Sequence, residues 1–287
     1  MTTVSGAIGA AMPDEAVVLR DVRGPSALGG GARRAFELLW LIATHEFKRT
    51  YFGTVLGYLW SLCRPLLMFA VLLVVFSHVL RLGNTVPHYP VFLLLNIVLF
   101  GFFQEATNIA VGSVLAQEAV VRKTQFPRLV IPLAVVLTSV FNVLLNLVVV
   151  FIFLLAFGIS PTWTWLLLAP ILLALFVLTT AVAMILSSLY PRFRDLAIIW
   201  TVVSTALLYA SPVLYPLQHV GGSLRNLLAL SPLAPLFELA RRWVIEPGAP
   251  VQTGALQVVV PAALFVGVCA LAVWIFSREA PRIAEVL

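Results

Sequence analysis

Residues 129–157 read LVIPLAVVLTSVFNVLLNLVVVFIFLLAF and contain no Asp, Glu, Lys or Arg. A helix needs about 20 mostly apolar residues to cross a bilayer, so this stretch is long enough to do so. Directly before it stands the basic tract RKTQFPR, at residues 122–128. An uncharged run with basic residues at one end predicts a membrane-spanning helix that begins at the membrane surface.

The rest of the chain has the same character. Apolar residues make up 61% of the 287 residues and charged residues only 10%, whereas a soluble domain carries about 25% charged residues. Together these features predict an all-α, polytopic membrane protein with six transmembrane helices. The other five predicted spans cover residues 56–80, 90–114, 164–190, 196–216 and 252–277.

The basic residues indicate how the chain crosses the membrane. The sequence pI is about 9.8, but the Lys and Arg residues flank apolar spans, which indicates topology rather than nucleic-acid binding. With the N-terminus inside, only Arg81, Arg225, Arg241 and Arg242 fall outside, and Arg64 falls within a span. The positive-inside rule therefore predicts a multi-pass membrane protein with both termini cytoplasmic. The inner set is Arg20, Arg23, Arg33, Arg34, Lys48, Arg49, Arg122, Lys123, Arg128, Arg192, Arg194, Arg278 and Arg282.

Four regions follow from this topology. Residues 1–32 are rich in Gly and Ala and lack the order of a signal peptide, which predicts a disordered cytoplasmic tail. Residues 33–50 carry an apolar stripe at helical spacing, which favours an interfacial amphipathic helix over a short packed cytoplasmic helix. Residues 51–277 form the six-span domain, and residues 278–287 form a cytoplasmic C-terminal tail.

The stretch 222–246 between spans five and six is too polar to cross the membrane. Ser231-Pro232 divides it, and Glu238, Arg241 and Arg242 stand among apolar residues in its second half. This pattern predicts short re-entrant or amphipathic helices at the outer leaflet, with an ordinary outer loop as the alternative.

Two charged residues fall inside predicted spans. Arg64 lies about 9 Å from the inner end of span one, and Glu105 lies about 12 Å from the inner end of span two. Ionisable groups within a bilayer usually face protein and pair, so the matching depths predict an ion pair between them. Gln104 or Asn108 would add hydrogen bonds. In the alternative, Arg64 extends alone to the inner headgroups.

The sequence lacks the motifs of a self-sufficient enzyme or pump. It contains no G-x-x-x-x-G-K-[ST], no H-E-x-x-H and no G-x-S-x-G, and its His and Cys residues have no metal-site spacing. We therefore expect no enzymatic activity, cofactor or metal in this chain. An ion-driven flippase is disfavoured by the few intramembrane carboxylates. A membrane enzyme acting on polyprenyl lipids is disfavoured by the lack of acidic loop clusters.

Several motifs appear in a characteristic order along the chain. They are Gly57-Tyr58-Leu59-Trp60, Pro65, Phe126-Pro127-Arg128, Phe193-Arg194-Asp195-Leu196, Ser211-Pro212-Val213 and Tyr215-Pro216. With these motifs in this order, the chain resembles the permease subunit of ABC-2 type exporters, and more narrowly the branch that exports lipid-linked polysaccharides such as O-antigens, teichoic acids and galactan. The resemblance covers residues 33–277 and implies a location in the bacterial inner or plasma membrane.

The resemblance implies a homodimer that pairs with two copies of a separate ATPase, which would bind ATP and Mg. A coupling helix at about residues 115–125 would contact that ATPase, with Phe126 as an apolar anchor and Pro127 ending the helix. In the alternatives, the tract is only a basic turn that enforces topology, and Asp195 only caps span five. The coupling residues implied are Arg122, Lys123, Phe126, Pro127, Arg128, Arg194 and Asp195.

The resemblance also implies that a lipid-linked polysaccharide passes from the cytoplasmic side across the membrane. Aromatic side chains offer flat faces on which sugar rings can stack. Trp60, Phe69, Trp200 and Tyr209 on spans one and five are therefore the candidate path residues, with packing or lipid-facing aromatics as the alternative. A drug or small lipid is the alternative substrate.

Overall fold

The computed structural model describes residues 31–51, 57, 59–79, 83, 85–117, 129–248 and 254–279. Every regular element in these ranges is a helix, which confirms the predicted all-α class. The α-helices are α1 (Gly31–Tyr51), α2 (Leu59–Val74), α3 (Tyr89–Ala116), α4 (Val130–Ala156), α5 (Leu168–Leu189), α6 (Leu196–Ala210), α7 (Gly222–Ala229), α8 (Ala234–Ala240) and α9 (Ala255–Glu279). Short π-helical turns continue α2 (Val75–Val79) and α8 (Arg241–Ile245), and 3-10 turns cover Trp163–Leu167 and Leu217–His219.

Five of the described helical segments are long and apolar enough to cross a membrane. Each coincides with a predicted span to within a few residues, so the chain is a multi-pass membrane protein. The five segments are Leu59–Ser77, Tyr89–Ala116, Val130–Ala156, Trp163–Leu189 and Ala255–Glu279.

Helix α6 is shorter than the span predicted at residues 196–216. It has 15 residues, so it rises about 22 Å against a hydrocarbon core of roughly 30 Å. The helix stops because a residue that precedes proline is disfavoured in the α conformation. Ser211, which precedes Pro212, is accordingly extended, with φ −103° and ψ 157°. The count of six spans depends on this short helix and stays a prediction.

Helix α3 lies at the centre of the molecule. Its buried residues occur on all sides of the helix from Tyr89 to Val114, rather than along one stripe. A helix that is apolar on every side must be covered by other elements, and α2, α4, α5 and α6 all pack on it. Helix α3 is therefore the scaffold on which the other spans are placed.

The surrounding helices leave many apolar side chains uncovered. Leu67 on α2, Ile198 on α6 and Val266 on α9 are examples. An apolar surface of this extent is not found on soluble monomers. It fits contact with lipid chains or with another membrane-spanning chain.

Helix α1 packs on the first turns of α4. Leu39 is buried in a cluster with Val130 and Ala134. Ala43 is also buried, and the Trp40 ring meets the Phe141 ring edge-on at 5.4 Å. The predicted apolar stripe of this helix is therefore a packing surface along α4. Its position at the inner leaflet stays a prediction.

The outer segment between α6 and α9 is helical, as predicted, and it divides at the predicted Ser231-Pro232. The Trp165 side chain donates a hydrogen bond to the Val244 carbonyl at 3.1 Å, which ties the segment to the start of α5. Within this segment, Glu238 and Arg241 are buried. They can be buried because their opposite charges pair within one helical turn.

Candidate functional site

Four parts of the chain meet at one end of the helical bundle, here called the inner face. These are the end of α3, the start of α4, helix α1, which packs there, and the turn between α5 and α6. A methyl group built on Gly112 in α3 would lie 4.0 Å from Cε1 of Tyr190, so the α5–α6 turn is next to the end of α3. The two regions predicted to contact an ATPase therefore emerge from the same face.

The predicted coupling residues between α3 and α4 lie outside the described residues, which stop at Gln117 and resume at Leu129. Of the predicted helix at 115–125, only residues 115–117 are described, and they form the end of α3. The undescribed predicted residues are Arg122, Lys123, Phe126, Pro127 and Arg128.

The α5–α6 turn presents Arg194 and Asp195 on the surface. The Arg194 guanidinium lies 5.5 Å from the centre of the Tyr190 ring, which is a cation–π contact. Asp195 precedes α6, but its carboxylate makes no capping hydrogen bond. The alternative role of Asp195 as a helix cap is therefore not realised, and both charges are available to a partner.

Inside the bundle, a polar seam joins α2, α3 and α4. Asn142 donates a hydrogen bond to the Glu105 carboxylate at 2.6 Å. Arg64 is exposed on α2. The direct Arg64–Glu105 ion pair stays a prediction, whereas Asn142 is a partner that sequence reasoning missed.

The polar seam also supplies a hydrogen-bond donor that α2 itself lacks. Pro65 lies inside α2 and has no N–H, so it cannot donate to the Ser61 carbonyl as an ordinary helical residue would. Asn146 donates to that carbonyl instead, at 3.2 Å. The signal in the sequence was the pair of amides Asn142 and Asn146, four residues apart in an otherwise apolar run.

Asn108, one of the two expected additional partners of Glu105 beside Gln104, makes other contacts. Its side chain donates to the Gln104 carbonyl at 2.8 Å and to the Ser204 hydroxyl at 3.4 Å. The Trp200 side chain also donates a hydrogen bond to the Thr107 hydroxyl at 3.0 Å. The Asn108–Ser204 and Trp200–Thr107 bonds together hold the inner half of α6 against α3.

The four candidate path aromatics separate into two pairs. Phe69 is 6% exposed and meets Phe153 edge-on at 5.9 Å, and Trp200 is half-buried against α3, as its hydrogen bond shows. Trp60 and Tyr209 are 50% and 56% exposed. Trp60 lies near the inner end of α2 and Tyr209 near the outer end of α6. Of the four, only Trp60 and Tyr209 have rings exposed on the surface of the chain.

Among the described residues, no group of three or more His, Cys, Asp or Glu side chains is placed to hold a metal ion. The described helices define a multi-pass helical membrane protein. The chain belongs to the ABC-2 type transporter family, whose model matches residues 37–243. This confirms the resemblance found in the sequence.

Curated relatives of this chain come from three organisms. An O-antigen export system permease protein RfbA of Klebsiella pneumoniae is 30% identical, over 70% of this chain and 77% of the relative. The protein of the same name from Myxococcus xanthus is 31% identical, over 69% of this chain and 76% of the relative. The polysialic acid transport protein KpsM of Escherichia coli is 25% identical, over 76% and 86%. All three relatives are named for the transport of polysaccharides.

Proposed function

We propose that this chain is the membrane-spanning permease of an ABC exporter that moves a lipid-linked polysaccharide from the cytoplasmic side across the inner or plasma membrane. The observation that carries this proposal is the family match over residues 37–243, joined by relatives named for O-antigen export and polysialic acid transport. A separate ATPase supplies the energy and binds ATP and Mg. The chain itself has no nucleotide-binding motif.

The inner face is the surface for that ATPase. The connection between α3 and α4 begins beside the α5–α6 turn, because Gly112 faces Tyr190. Arg194 and Asp195 are exposed there, and their charges would add specificity and steering to the contact. Within the undescribed connection, Phe126 supplies the apolar anchor, and Arg122, Lys123 and Arg128 supply positive charge. The inner face lies in the cytoplasm in this arrangement.

Two copies of the chain form the transporter. Helices α2 and α6 leave apolar surface uncovered, and each carries one exposed path aromatic, Trp60 or Tyr209. A polysaccharide between two such copies would meet ring faces from both, on which its sugars could stack. The helices α2 and α6 therefore line the path, while Phe69 and Trp200 hold them in position.

The partnership is tested by purifying the tagged chain in mild detergent from its own bacterium and identifying co-purified proteins by mass spectrometry. We expect an ATPase with a P-loop, and we expect Phe126→Asp to remove it. Gln218→Asp is the matched control, since it adds the same charge at an exposed position in the outer segment. An ATPase that remains bound to Phe126→Asp would contradict this coupling site.

The substrate is tested by deleting the gene and measuring surface polysaccharide and lipid-linked glycan. We expect the surface polysaccharide to disappear and its lipid-linked form to accumulate inside the cell. Unchanged surface polysaccharide would contradict polysaccharide export and would favour a drug or small lipid as the substrate.

A further inference from the structure

The chain that follows α6 is buried although it is not α-helical. Ser211, Pro212, Val213 and Leu214 are all buried, whereas α6 itself buries only Ser204 and Leu208. We call residues 211–217 the outer anchor. Because α6 is so lightly covered, the position of its outer end depends on how this anchor is held.

Side chains from two other helices hold the backbone of the outer anchor. The Tyr89 hydroxyl donates to the Leu214 carbonyl at 2.9 Å, and the Asn96 amide donates to the Pro212 carbonyl at 3.3 Å. The Leu217 N–H donates to the Glu238 carboxylate at 2.9 Å. Buried backbone groups outside regular helices require such partners.

Glu238 is the charged member of this set, and it is neutralised inside the protein. Its second carboxylate oxygen accepts a hydrogen bond from Arg241 Nη2 at 3.0 Å, and the two residues are 6% and 2% exposed. A buried ion pair rarely stabilises a fold more than a well-packed apolar pair would. What an apolar pair could not supply is the acceptor for the Leu217 N–H.

The outer anchor is also tied to the end of α6. The Tyr215 hydroxyl donates to the Tyr209 carbonyl at 2.6 Å, in the last turn of that helix. A continuous set of contacts therefore runs from Arg241 through Glu238 and the anchor to the exposed path residue Tyr209.

We propose that Glu238 is a positioning residue for the outer mouth of the export path, with Arg241 as its charge partner. Glu238 acts through the outer anchor and does not touch the substrate. The inference rests on the proposed function in one respect, namely that α6 lines the path. The positioning itself is a property of the folded chain and can be measured separately.

The test compares two double variants that both remove the buried charges. Glu238→Gln with Arg241→Met keeps an oxygen that accepts the Leu217 N–H, whereas Glu238→Met with Arg241→Met does not. A nitroxide label is attached at Ala210→Cys, at the end of α6, in a background of Cys63→Ala and Cys269→Ala. A second label at Ile198→Cys, near the inner end of α6, reports on the rest of the helix.

We expect the variant that keeps the oxygen to match the parent in label mobility at both positions and in polysaccharide export. In the variant without the oxygen, the Ala210→Cys label becomes mobile while the Ile198→Cys label does not. Export should then fall about tenfold, the equilibrium effect of leaving one buried N–H without an acceptor, with unchanged protein yield. Glu246→Gln, which removes a carboxylate 3.7 Å from Arg241, should change neither readout.

Two results would overturn the proposal. One is that the variant without the oxygen matches the parent at Ala210→Cys, because Glu238 would then not position the helix end. The other is that both labels become equally mobile, because the loss would then be general loosening of the fold. If the parent exports no polysaccharide, the proposed function fails, yet the label measurements still decide the positioning role.

Discussion

Glu105 is the only charged residue of helix α3. Its hydrogen bond from Asn142 at 2.6 Å, and the donation from Asn146 to the Ser61 carbonyl, place the only Asn residues of α4 at the contacts with α3 and α2. Polar groups in a bilayer are costly when they lack partners. Here each amide satisfies a particular group, so the seam fixes the register of three helices.

Loss of the Asn146 amide should be rescued by removing Pro65. Asn146→Leu takes the donor from the Ser61 carbonyl and should cost about 1–2 kcal/mol of stability. Pro65→Ala restores an N–H at residue 65 that can donate to the Ser61 carbonyl. Asn146→Leu should therefore cost less stability in the Pro65→Ala protein. Thermal unfolding of the purified protein and its three variants measures this cycle. Equal costs in both backgrounds would contradict this role of Asn146.

The sequence allowed only part of this seam to be predicted. Charge and depth identified Arg64 and Glu105 as residues that need partners, because a charge in an apolar run is conspicuous. Which residue of α4 pairs with Glu105 depends on how α3 and α4 are aligned along each other. The residues next to Glu105 in sequence do not determine that alignment. The same limit applies to the aromatics, since composition cannot distinguish buried Phe69 from exposed Trp60.

Replacing the exposed candidate aromatics should affect export, whereas replacing a buried one should affect stability. Trp60→Ala and Tyr209→Ala should lower polysaccharide export and leave thermal stability unchanged, because these rings are exposed. Phe69→Ala should cost about 3 kcal/mol, because it leaves a cavity beside Phe153. Surface polysaccharide and thermal unfolding are measured on the same variants. Normal export by both exposed-ring variants would contradict their place in the path.

Helix α6 shows which features of an element can be predicted locally. Its beginning and the proline that follows its end are both visible in the sequence. Its early stop follows from the restriction that Pro212 places on Ser211. The buried pair of Glu238 and Arg241 was not predicted, although its spacing of three residues suits a helical ion pair. Burial there is decided by α3 and the outer anchor, which lie far away in sequence.

The turn that precedes α6 should bind the ATPase through its charges. Arg194→Glu reverses one exposed charge, so it should reduce ATPase co-purification while leaving thermal stability within about 0.5 kcal/mol. Gln218→Glu, at an exposed outer position, should leave ATPase co-purification unchanged. Full co-purification with Arg194→Glu would exclude this charge from the coupling surface.

The described part of the chain combines a lightly covered apolar exterior, a central helix and a charged turn between α5 and α6 on the inner face. Its positive charges concentrate on the predicted cytoplasmic side, where an ATPase would be found. The family match implies an ATPase partner, and we propose that this partner drives transport through the inner face. The family match, the placement of the α5–α6 turn and the exposed aromatics all agree with a permease driven from its inner face.

The most direct measurement is transport of lipid-linked polysaccharide into inverted membrane vesicles that contain this chain and its ATPase. Polysaccharide inside the vesicles is protected from an added glycosidase. We predict that protection requires ATP hydrolysis and is lost with Phe126→Asp, while Gln218→Asp transports normally. Protection that develops without ATP, or that never develops with the complete complex, would contradict the account.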